Sequence, residues 1–85
     1  DLLTNKETVN MLESILDQQP DRLELREKLI DIYRKEGQNS NALRQYKLIL
    51  RSSVPNNEFL LEAAEFYDRL GLSWEAKNTR ERTTQ

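Results

Sequence analysis

Moved against itself by 34 residues, the chain meets its own pattern. Tyr33 falls on Tyr67, Gly37 on Gly71, Ala42 on Ala76 and Glu24 on Glu58. Leu25 falls on Phe59 and Ile32 on Phe66, while Val9, Leu12, Ile15 and Leu16 fall on Leu43, Tyr46, Ile49 and Leu50. Any two amphipathic segments share an apolar position or two by chance. An aromatic, a helix-ending Gly and a small Ala in common spacing are far harder to obtain that way. Such a chain builds a repeated unit whose neighbours bury each other's apolar faces.

The unit reads as helical. No stretch alternates apolar and polar residues at period two over strand length. With two Gly and two Pro in 85 residues, and charge carried mostly by Glu, Arg and Lys, helix formers dominate. Four breaks predict five helices. Thr4 and Glu7 have the spacing of a capping box, and the first helix ends near Gln18–Gln19, before Pro20. Asp21 and Glu24 predict a second cap, and Gly37 closes that helix. Asn39, Ser40 or Asn41 is the expected cap of the third helix, and Val54-Pro55-Asn56 breaks before the fourth. Gly71 closes the fourth and Ser73 is the expected cap of the fifth. The fold class is therefore all-α, a single domain of antiparallel helical hairpins. Residues 4–19 form the second helix of a partial unit, 22–54 a complete unit, and 56–85 a second unit.

Composition narrows what such a chain does. Hydrophobic residues at 36% against charged residues at 33% support a thin core under a charged surface, without a large enclosed pocket. A net charge of -2 is too small to steer the chain toward nucleic acid or an anionic membrane. No apolar run approaches the ~20 residues of a spanning helix. The absence of Cys excludes disulfides, thiolate nucleophiles and Cys-ligated zinc, and fits a reducing, cytoplasmic setting. The absence of His removes the side chain best suited to acid–base work near neutral pH. Neither enzymatic activity nor a cofactor or metal is expected. Beginning at Asp1, the chain reads as a piece of a longer protein.

Tyr33, Gly37, Ala42, Tyr46 and Pro55, with Leu29 before them, resemble the tetratricopeptide repeat in residue type and spacing. Pro55 lies one residue later than the strict spacing. The second copy keeps Tyr67, Gly71 and Ala76 and then departs, with Arg80 where the family has an aromatic. The resemblance covers about two and a half repeats. It implies stacked hairpins forming a short right-handed superhelix, with the first helix of each pair lining a concave, peptide-binding face. In the last helix Lys77, Arg80, Thr83 and Thr84 replace the apolar stripe, as in a polar terminal cap. At the other end, Leu2, Leu3 or Met11 is expected to cover the edge of the first helix.

On this reading the outward positions are Glu24, Glu27, Lys28, Asp31, Arg34 and Lys35, then Glu58, Leu61, Glu62, Glu65, Asp68 and Arg69. The candidate partner-binding residues are Glu24, Glu27, Asp31, Glu58, Leu61, Glu62, Glu65 and Asp68. Glu27 and Asp31 would repel a C-terminal carboxylate, so a basic or amphipathic helical peptide is the expected partner. The same acids also suit a plain solvated face. Arg44, Lys47 and Arg51 form a basic stripe on the third helix, too sparse for nucleic acid in salt. Trp74 is expected to pack on the Leu70–Leu72 turn rather than to stand exposed as an interface anchor. The function expected is a protein-interaction scaffold. Two alternatives remain: homo-oligomerisation through the N-terminal helix edge, and RNA binding by a related helical repeat.

Overall fold

The structure is a computed structural model and describes residues 4–83. The expected cover by Leu2 or Leu3 and the place of Thr84 in the polar stripe lie outside the described residues. Among the described residues there are five α-helices and no strand. These are α1 (Asn5–Gln18), α2 (Leu23–Lys35), α3 (Asn39–Ser52), α4 (Asn57–Arg69) and α5 (Ser73–Glu81). They fall into two compact units, Asp1–Ile49 and Leu50–Gln85.

In the first unit α1 and α2 pack as a hairpin. The capping box forms as expected: Glu7 N–H donates to Thr4 Oγ1 at 3.1 Å, and Thr4 N–H donates to Glu7 Oε1 at 3.1 Å. Asn5 Nδ2 donates to Glu36 Oε2 at 3.0 Å, so the start of α1 lies beside the end of α2, as an antiparallel pair requires. The core is Leu12, Leu16, Leu25, Leu29, Ile30 and Tyr33, with Ala42, Tyr46 and Ile49 from α3. In the second unit α4 packs on α5. Asn56 caps α4 by accepting from Phe59 N–H at 2.8 Å. Arg82, just past α5, donates to the carbonyl of Leu50 at 2.9 Å, which ties the end of the hairpin back to the residues before α4. Phe59, Leu60, Ala63, Ala64, Phe66, Tyr67 and Ala76 are buried.

The 34-residue pattern extends to individual hydrogen bonds. Gly37 N–H donates to Arg34 O at 3.1 Å and Gln38 N–H to Tyr33 O at 2.8 Å. Gly71 N–H donates to Asp68 O at 3.0 Å and Leu72 N–H to Tyr67 O at 2.9 Å. Both sets are the Schellman closure of a helix C-terminus, with a glycine at positive φ, 71° for Gly37 and 79° for Gly71. The next helix starts at once. Ala42 N–H donates to Gln38 O at 3.1 Å and Ala76 N–H to Leu72 O at 3.0 Å, so one residue finishes each helix closure and opens the helix that follows.

That economy corrects three cap assignments. α5 is capped at Leu72 with no side-chain bond, and Ser73 is already helical. Asn39, Ser40 and Asn41 likewise lie inside the first turn of α3, where Asn41 Nδ2 donates to Gln38 Oε1 at 2.8 Å. α2 is capped at Arg22 without a side-chain bond, because Leu23 N–H turns back to the Asp21 carbonyl at 2.9 Å and leaves Asp21 one residue too early. Glu24 pairs with Arg22 at 2.7 Å instead of closing a box.

A Cβ placed at Gly37 or Gly71 would meet nothing within 4 Å, so only the left-handed backbone demands glycine. Gly37→Ala and Gly71→Ala should each cost about 1 kcal/mol in urea unfolding, and the Asn variants less. An unchanged midpoint for either Ala variant would mean that its reversal does not need the left-handed residue.

Candidate interaction surfaces

α2 and α4 carry most of their expected contact residues at the surface. On α2, Glu24, Glu27 and Asp31 are exposed, but so are Lys28 and Lys35. Arg34 is half-buried and donates to the Tyr46 hydroxyl at 3.1 Å. The Arg22 guanidinium beside Glu24 holds that carboxyl below the usual carboxylate range. The exposed face of α2 is therefore mixed in charge.

On α4, Glu58, Leu61, Glu62, Glu65 and Asp68 are all exposed, with Arg69 as the cation among them. Leu61 keeps 52% of its surface open, an apolar residue one helical turn from Glu58 and from Glu65. Glu65 pairs with Arg69 at 2.7 Å, and Asp68 pairs with Arg80 of α5. Exposed pairs of this kind are worth about 0–1 kcal/mol, so they trim the negative field of α4 without removing it. The negative charge is concentrated on α4.

The residues read as structural take their places. Leu29, Tyr33, Ala42, Tyr46, Tyr67 and Ala76 are buried, Gly37 and Gly71 form the reversals, and Pro55 sits half-buried in the α3–α4 link. Ala42 and Ala76, both at 0% exposure, allow their helices to approach closely. The departure at Arg80 is explained as well. Arg34 and Tyr46 of the first unit fall on Asp68 and Arg80 of the second, and each pair is hydrogen-bonded. Where the first unit joins Arg34 to the Tyr46 hydroxyl, the second has an ion pair at the same station.

Trp74 does not pack on the Leu70–Leu72 turn; it is 73% exposed. The buried face of α5 is Ala76 and Thr79, and Trp74 stands two residues before Ala76, about 200° around the helix. Arg44, Lys47 and Arg51 are exposed and form no ion pair among the described residues. The sequence reading missed one polar pair, Gln45 and Thr79, each only 6% exposed. Arg26 Nη1 donates to Gln45 Oε1 at 3.0 Å, while Thr79 Oγ1 donates to Glu75 O at 2.8 Å. The two residues fall on each other in the 34-residue shift, which was the available signal.

Comparison with protein-family models, with curated proteins and with solved structures returned no match. Among the described residues no helix is long and apolar enough to cross a membrane. No group of three or more His, Cys, Asp and Glu side chains there is arranged to hold a metal ion.

The Tyr33 hydroxyl donates to Glu13 Oε2 at 2.6 Å. Burial, then this carboxylate, pushes the phenol up to about 12 from its ordinary 10.0. Burial raises Tyr67 too, with Glu75 adding to it. For Tyr33 the folded chain keeps its proton where the unfolded chain has lost it. Stability is therefore unaffected below the ordinary value and falls as pH rises from 10 toward 12. Tyr33→Phe should remove the late step from the tyrosinate absorbance titration and flatten that alkaline loss. A Tyr33→Phe titration that overlays the parent curve would refute the assignment.

Proposed function

We propose that this chain is a protein-interaction module, a helical-repeat scaffold that works by presenting rigid helix surfaces and carries out no covalent step. The reading takes its fold expectation from the resemblance to the tetratricopeptide repeat. The observation that carries it further is the face of α4, where half-exposed Leu61 is surrounded by Glu58, Glu62, Glu65 and Asp68. An apolar contact inside an acidic ring suits an amphipathic, basic helix: the apolar stripe anchors on Leu61 and the flanking Lys or Arg residues select the orientation. On α2, Glu24, Glu27 and Asp31 share the exposed face with Lys28 and Lys35, so that helix by itself offers little selectivity by sign.

Glu62→Lys with Glu65→Lys should leave the fold intact, since both residues are exposed, and should abolish capture of basic helical partners. Comparing the proteins retained by parent and variant from the same extract checks this. An unchanged partner set would sink the acidic-face reading.

A second reading has its own support. Met11 of α1 stands one 34-residue step before Gln45 and two before Thr79, both buried. Met11 is 47% exposed, so α1 leaves open a position that its counterparts cover. Self-association through α1 would close it. Sedimentation equilibrium should then show a concentration-dependent mass that Met11→Glu reduces to that of the monomer. A monomer at every concentration would exclude this reading.

A further inference from the structure

The unit Asp1–Ile49 contains a groove of about 540 Å³ lined by no residue of α4. Leu16, Leu29 and Leu48 supply its apolar lining. α1 contributes Glu13 and Asp17, one helical turn apart, and α2 and α3 contribute Arg26 and Arg44. Leu29 is fully buried and Leu16 nearly so, so the open lining is mostly polar and carries both signs of charge.

Three observations set it apart from a gap between helices. Arg26 is held in place: its guanidinium donates to Gln45 Oε1 at 3.0 Å and to the Pro20 carbonyl at 3.1 Å. Gln45 is only 6% exposed, yet its carboxamide nitrogen has no partner among the described residues. No buried side-chain nitrogen or oxygen is left unpaired there, so that nitrogen keeps some access to solvent, and Gln45 lines the groove. Asp17 and Arg44 line the same groove, yet neither forms an ion pair among the described residues. The opposite charges have not closed on each other, and each keeps its capacity for a ligand.

We propose that this groove seats a short segment of another protein in which apolar residues lie between a basic and an acidic one. The basic side chain meets Asp17 and Glu13, and the acidic one meets Arg44 beside Arg26. The apolar residues cover Leu48, and a backbone carbonyl of the segment accepts from the Gln45 carboxamide. A ligand of one sign satisfies half of the groove and is repelled by the other half. The site is independent of the α4 face, which selects positive charge alone.

The test uses the whole chain and four blocked tetrapeptides: Lys-Leu-Leu-Glu, Glu-Leu-Leu-Lys, Lys-Leu-Leu-Lys and Glu-Leu-Leu-Glu. Amide chemical shifts locate each one, so binding at residues 13–17 and 44–48 is separated from binding at residues 58–68 of α4. A mixed-sign peptide should shift the first set and bind there about fivefold more tightly than either single-sign peptide. Arg44→Glu, at an exposed position, should leave the helical circular dichroism unchanged and reverse the preference toward Lys-Leu-Leu-Lys. Equal affinity for mixed and single-sign peptides, or shifts confined to α4, would overturn the proposal. So would an Arg44→Glu variant with unchanged preference. Failure of the α4 reading alone would leave the shifts at residues 13–17 and 44–48 in place.

Discussion

The reversals after α2 and α4 depend on one backbone constraint, a glycine held at positive φ between two helices. Gly37 and Gly71 close α2 and α4 with the same pair of main-chain bonds, and the residue after each glycine opens the next helix. A reversal this short brings Ala42 and Ala76 to positions of complete burial. Bulkier side chains there would hold the helices apart. The tyrosines work from the same geometry. Tyr33 and Tyr46 are buried, but their hydroxyls reach Glu13 and Arg34, so each ring fills space without leaving its polar end unpaired. Repetition thus goes beyond matching hydrophobicity. The two units share a closure, a small residue, an aromatic and a cross-helix bond at the same station.

Where the units differ, the difference is local chemistry on a common frame. The first unit joins Arg34 to a tyrosine hydroxyl; the second joins Asp68 to Arg80. Gln45 needs a neighbouring guanidinium because its long carboxamide cannot return to its own helix, whereas Thr79 returns its hydroxyl to the carbonyl one turn back. Such exchanges let charge vary while the backbone stays constant. α4 and α2 occupy matching stations, yet one presents an acidic face with an open leucine and the other a face of both signs.

Most of the fold was legible in the chain. The shift by 34 residues, the helix-ending glycines, the Thr4–Glu7 box and the breaks at Pro20 and Pro55 rest on local rules, and the five helices follow from them. The caps of α2, α3 and α5 were not legible. Capping rules assume a separate residue outside the helix, and in these tight reversals the main chain does that work. The contact residues proposed on α2 and α4 were legible as exposed positions, because period and glycine placement set which face is outward. Their pairing was not, because Asp68 meets Arg80 of the next helix and Arg34 turns to the Tyr46 hydroxyl.

By itself the sequence determined the class, the number of helices and the repeat, since periodicity and backbone conformation are properties of neighbours in the chain. Only tertiary structure decided what distant residues do to each other. It left Trp74 in solvent, paired Asp68 with Arg80, and gathered Glu13, Asp17, Arg26 and Arg44 around one groove. Those outcomes turn on which helices meet and at what rotation, and a linear pattern of side chains does not contain that information.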